Sequence, residues 1–259
     1  MTMEYSFDNL FLASGKDFVI DEFIKVKHPK LYEIMELGTN CEKEYGAYVS
    51  AIASTRFEQK GVLWKMNIDY ETIDSDFGMF CILFHTFTKL HQQGTLEDNV
   101  CSKALSFFLG KKDSEFVLFE ENNNLIIIDK NYPRLVIDKH NFPLIQRFVR
   151  LINCLSLEEP PKPADKYVKE DMIEDDIFKM EHPDKEAVTL FDIVSSIAYG
   201  GNSIQSFEEV SKKPIFEIYT AIKRMGKRIN YDLTIIGCYF SALNLPSTQI
   251  EKINWCGKL

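Results

Sequence analysis

Histidine is scarce in this sequence, five residues in 259, and cysteine is hardly richer, six, at positions 41, 81, 101, 154, 238 and 256. No two cysteines form a CxxC or any other close pair, so the ligand spacings of structural zinc and dithiol redox sites are missing. They sit mostly inside apolar runs and read as reduced core thiols of a cytoplasmic protein. Long hydrophobic runs are lacking too. The longest, "FGMFCILF" from Phe77 to Phe84, is far shorter than the roughly 20 residues that cross a bilayer, so no membrane association is expected. The opening "MTMEYSFDNLFLASGKDF" has early acids, no basic start and no apolar stretch of signal-peptide length, which again leads to the expectation of a cytoplasmic location. Positive charge is the minority sign. Against 39 acids stand 30 Lys and Arg, a net charge of -9 that repels phosphate backbones, so nucleic acid is not an expected partner. The P-loop, Rossmann and GxSxG fingerprints are absent, and "LGKKDS" holds a Gly and two Lys without the spacing that wraps phosphates.

What is present is an ordinary globular composition, 45% hydrophobic and 27% charged, enough for a sizeable core. The expected fold is α+β and mostly helical, in two units. In residues 1–156, a pair of short β runs in "DFVIDEFIKVKHPKLYEIMELGTN" leads through Pro29 into a helix that Gly38 can end. "CEKEYGAYVSAIAS", "FEQKGVLWKMN" and "DSDFGMFCILFHTFTKLH" follow at helical period. Asp74 or Ser75 is placed to cap the last of these, with Phe77, Phe80, Cys81, Phe84 and His91 on one side. "LEDNVCSKALSFFLGKK" gives another helix, stopped at Gly110. Around 115–138 the pattern changes to three apolar runs, Phe116–Phe119, Leu125–Ile128 and Leu135–Ile137, separated by "ENNN" and "KNYP": a small antiparallel β-meander. A helix capped by Asn141, with Pro143 in its first turn, carries the stripe Ile145, Phe148, Val149 and Ile152 that can cover the meander. Residues 157–186 are acidic and Pro-rich, a linker in which "DKYVKEDMIEDDIFKM" can form an exposed helix with Tyr167, Met172 and Ile173 on one side. From 187 to 259 an all-α C-terminal domain is expected, with separate helices over "PIFEIYTAIKRMGKR" and "YDLTIIGCYFSALN".

Residues able to carry chemistry are few. Cys81 and His85 have the i,i+4 spacing of a shared metal, but no second pair supplies further ligands and packing in a Phe-rich face is the favoured reading. Glu174, Asp175 and Asp176 are consecutive and point different ways, which favours a solvated face over a carboxylate pair. "HPDKE" at 182–186 reads as a turn and helix start, with Pro183 or Asp184 near the cap. The basic "MGKR" at 225–228 suits a helix C-terminus. No catalytic residue, metal or cofactor follows from these, and a non-enzyme is expected.

Two stretches carry a resemblance. "KHPKLYEIMELGTNCEKEYGAYVSAIASTRFEQKGVLWKMNIDYETIDSDFGMFCILF" and "PIFEIYTAIKRMGKRINYDLTIIGCYFSALNLPSTQIEKINWCGKL" resemble the N-terminal region and the C-terminus of tail assembly chaperone-like proteins from the tail-morphogenesis modules of phages and prophages of Gram-positive bacteria. The resemblance implies a non-enzymatic assembly factor in the host cytoplasm, whose partners are phage tail proteins and above all the long helical tape-measure protein. A structural virion component, such as a baseplate or connector subunit, is the nearest alternative, and a cytoplasmic enzyme or regulator the next. Partner contact would use adaptable apolar residues. Ile215, Ile218, Tyr219, Ile222 and Met225 share one helical face. The rival reading packs that face on "LTIIGCYFSAL". Trp255 is the remaining candidate, either stapled to the last helices or offered to a partner.

Overall fold

The computed structural model of the chain describes residues 7–121, 124–158, 161–184, 187–199, 206–240 and 245. It is a mostly helical α+β protein whose described residues hold two small antiparallel sheets. The chain enters through a short helix, α1 (Asn9–Ala13), started by the Asp8 carboxylate accepting from Leu10 N–H at 3.0 Å. A hairpin of two short strands follows, β1 (Phe18–Val19) and β2 (Lys25–Val26), with Phe18 opposite Val26. Then come α2 (Leu31–Met35), α3 (Cys41–Ala53), α4 (Lys60–Lys65), a 3-10 turn at Tyr70–Thr72, α5 (Asp76–Gln92) and α6 (Val100–Phe108). Ser75, one of the two expected caps, starts α5 by accepting from Gly78 N–H at 3.1 Å. Asn99 caps α6, and its amide donates to the Phe84 carbonyl (3.1 Å) and Thr88 Oγ1 (2.8 Å), which ties α6 to α5. Phe77, Phe80, Cys81 and Phe84 are buried as expected; His91 is exposed, because α5 outruns its packing partners in its last turn.

The meander forms where turn residues and alternation place it: β3 (Phe116–Glu121), β4 (Asn124–Asp129) and β5 (Val136–Ile137), in the order β3-β4-β5. Phe116, Ile127 and Ile137 are buried, and β3 lies against α5. On α7 (Phe142–Ile152) the stripe Ile145, Phe148, Val149 and Ile152 is fully buried, but it packs chiefly on α3 rather than covering the meander. Asn141 does not cap α7 with its side chain. It stitches β5 instead, accepting from Asp138 N–H at 3.0 Å and donating to the Val136 carbonyl at 2.8 Å.

The acidic stretch contains α8 (Lys166–Glu181), started by Asp165. This helix docks on α4. Ile173 is buried, Asp176 accepts from Gly61 N–H at 3.0 Å and meets Lys60 at 3.3 Å, and Lys169 reaches both oxygens of Asp69 at 2.8 Å. Asp176 is therefore part of a contact and not of a solvated face. Tyr167, expected beside Ile173, is exposed, and Met172 is half-buried. The C-terminal part holds α9 (Leu190–Tyr199), α10 (Phe207–Ser211) and α11 (Ile215–Tyr239). Helix α9 starts at Thr189, whose N–H donates to Asp192 at 2.9 Å, and not near Pro183 or Asp184. The two helices expected after Pro214 are one of 25 residues. Gly226 does not break it, since an interior Gly costs only about 1 kcal/mol and no Pro intervenes. Buried side chains from 1–156, from α8 and from α9 to α11 belong to a single contiguous apolar cluster, so contacts cross the compositional boundaries near 156 and 186.

Candidate interaction surface

Helix α11 is anchored by backbone before side chains. Ile215 N–H donates to the Pro29 carbonyl at 3.0 Å and Leu31 N–H to that of Lys213 at 3.1 Å, around a bridge between Lys30 and Pro214. Pro214 leaves no room beside Gly15: a Cβ there would sit 2.5 Å from the proline Cγ, at a φ of +66° that only glycine adopts without strain. From this corner the first turns of α11 run into the core. Ile215 and Ile218 are fully buried there, and Tyr219 and Met225 pack against it from partly buried positions. Ile222 is half-buried. The five expected contact residues on α11 do share a face, but its first part is committed to α1, α7 and α9. The rival expectation is also corrected. Residues 233–239, the described helical part of "LTIIGCYFSAL", continue the same helix and cannot pack on its own earlier turns. Trp255 lies outside the described residues.

A polar joint ties α3 to the end of α7, on which α11 packs. Tyr45 on α3 donates to Asn153 Oδ1 at 2.7 Å, and the Asn153 amide donates to the Val149 carbonyl at 2.8 Å. Burial holds the Tyr45 hydroxyl well above the usual phenol range and pushes Tyr219 up to about 12. Both hydroxyls therefore stay neutral. Cys154 ends α7 in the left-handed region at φ +53°, its thiol raised by burial, and Lys223 of α11 donates to its carbonyl at 3.4 Å. A cation at a helix C-terminus is favourable, so this contact positions α11 as well.

Beyond Met225 no apolar residue of α11 packs on the core among the described residues. Ile229, Leu233, Ile236 and Phe240 are 57%, 61%, 51% and 73% exposed, and Tyr239 beside them is exposed too. Their spacing of four, three and four makes one stripe along the helix. It follows directly on Lys223, Arg224, Lys227 and Arg228, which lie in mid-helix and not at a C-terminus. The signal was present in the sequence as an unbroken apolar period across "MGKR". Reading the cations as a helix end concealed it.

The other candidates do not converge. Cys81 is buried, its thiol pushed up to about 12 by that burial, while His85 is exposed. Among the described residues no group of three or more His, Cys, Asp or Glu is placed to hold a metal ion, and no helix is long and apolar enough to cross a membrane. Exposed His182 stacks on Phe178 with ring centroids 4.4 Å apart. A cleft of about 670 Å³ runs beside α2, α5 and α6, but two of its charge pairs are already internal: Lys27 with Glu33 at 2.6 Å, and Lys103 with Asp98. No family model, curated protein or solved structure matches the chain.

Proposed function

We propose that the chain is a non-enzymatic assembly factor that works by protein–protein contact, in the tail morphogenesis of a phage or prophage. The exposed apolar stripe of α11 carries this reading. Contiguous apolar surface on a folded chain marks sites of protein contact, and a helix held rigidly at one end presents such a stripe at low ordering cost. The tail assignment rests on the two stretches at the ends of the sequence that resemble tail assembly chaperone-like proteins, the second of which contains this helix. A tape-measure protein, long and helical, would offer grooves and apolar faces of matching kind. Co-expression with the tape-measure protein of the same gene module tests it. The soluble fraction of that partner should rise, and a Leu233→Glu variant that still folds should fail to raise it. An unchanged soluble fraction with the unmodified chain would overturn the reading, and finding the chain as a stoichiometric part of purified particles would replace the chaperone role with a structural one.

A further inference from the structure

We infer that in the absence of the proposed assembly partner the distal half of α11 is a self-association surface, taken by the same stripe of a second copy in antiparallel orientation, which that partner would have to displace. Three observations support this. The stripe Ile229, Leu233, Ile236 and Phe240 has the palindromic spacing four, three, four. A two-fold axis between positions 234 and 235 therefore sets Ile229 against the Phe240 of the second copy and Leu233 against its Ile236, a self-complementary contact of the kind a two-fold interface requires. The area also fits. With Tyr239, these side chains leave on the order of 600 Å² of apolar surface per chain, close to the roughly 800 Å² that each partner contributes to an ordinary interface.

The anchored half of the helix selects the orientation. The stripe continues the face of Ile215, Ile218, Tyr219 and Met225, which packs on the core, so a second helix laid parallel along the stripe would run into the body of the chain. In the antiparallel pair the two anchored segments lie on opposite sides of the two-fold axis. The anchored ends of α11, and the bodies they join, then fall at opposite ends of the pair and do not compete for space.

The test uses the full chain in sedimentation analysis over a wide dilution range, with two variants that remove the same apolar side chains. In Leu233→Lys/Ile236→Lys both contacts between positions 233 and 236 become repulsive, and dimerisation should weaken by at least about thirtyfold. In Leu233→Lys/Ile236→Asp the antiparallel register brings Lys opposite Asp at both contacts, so this variant should dimerise more tightly than the Lys/Lys variant. An unmodified chain that stays monomeric throughout would overturn the inference, and protection of Leu233 and Ile236 from exchange in that monomer would assign the stripe to another part of the same chain. A dimer that neither variant weakens would overturn it as well. Equal loss in both variants would overturn the antiparallel register.

Discussion

Neither ring nitrogen of His28 has a hydrogen-bond partner among the described residues, although the side chain is fully buried against Phe148 of α7, ring centroids 6.0 Å apart. Burial without a partner disfavours the charged form and lowers its pKa from the ordinary 6.5. The carbonyls of His28, Pro29 and Leu12 and the carboxylate of Asp17 act the other way, more weakly. The sign for stability follows from proton uptake. Below about pH 6.5 the unfolded chain binds a proton at this position that the folded chain refuses, so stability falls as pH falls from there towards the lowered folded value, at about 1.4 kcal/mol per pH unit. Denaturant midpoints at pH 7.5 and 5.5 should therefore drop further for the unmodified protein than for His28→Phe, and equal drops would show that His28 does not fold as a buried neutral ring. Asp129 is a second such residue, fully buried at the end of β4. Its Oδ1 accepts from Asn131 N–H at 2.9 Å and Glu115 N–H at 3.2 Å, while Oδ2 is unpartnered. Neither residue was legible in the sequence. "VKHPK" looks like a basic lead into a helix, and "DKNYP" like any polar turn. Burial is imposed on them by residues far along the chain, Phe148 in the first case and the 113–116 segment in the second.

Elements were legible where their own period defines them and illegible where a partner does. The meander could be read because three apolar runs are separated by residues that favour turns, and α5 because an acid and Ser75 precede a long apolar face. The docking of α8 could not. Its inner side mixes Ile173 with charged residues, Lys169 and Asp176, and charge on a helix reads as solvent exposure until the opposite charge is placed. Here the opposite groups come from Lys60 on α4 and from Asp69 and Glu71 beside it. The contact combines a buried isoleucine with ion pairs whose lysines are largely buried, Lys60 at 10% and Lys169 at 14% side-chain exposure. Ile173→Ala should thus destabilise the protein by about 2–4 kcal/mol, and Asp176→Asn, which leaves Lys60 without its carboxylate, should destabilise it as well, in denaturant unfolding followed by circular dichroism. An Ile173→Ala midpoint unchanged from the unmodified protein would return α8 to the exposed linker helix that composition suggests.

At the scale of the whole molecule, the composition of 157–186 and the contacts of the same stretch point to different behaviour, and limited proteolysis separates them. Composition treats the stretch as one polar, Pro-rich connector between two units, open to cleavage along its length. The contacts divide it. Arg150 of α7 holds its beginning by donating to the Ser156 carbonyl at 2.9 Å while it pairs with Glu58 at 2.7 and 3.0 Å and reaches the Ala53 carbonyl at 2.6 Å. Its later half is α8, whose backbone is hydrogen-bonded and whose inner face lies on α4. Between these anchors run Glu158 and the residues around Pro161 and Pro163, exposed or half-buried, in a polar sequence with no helix or strand at the described positions. A protease needs an extended stretch it can pull into its cleft, and helical residues must first unfold. The first cut should therefore fall between 157 and 165, with 166–181 resistant. The fragments should stay together under native conditions, because α11 and the first thirty-odd residues share buried side chains and the backbone bonds between Pro29, Leu31, Lys213 and Ile215. Mass spectrometry of the first products, with size-exclusion of the nicked sample, reads both outcomes. Early cleavage inside 166–181 would show that α8 does not dock, and fragments that separate on nicking would show two independent units joined by a linker.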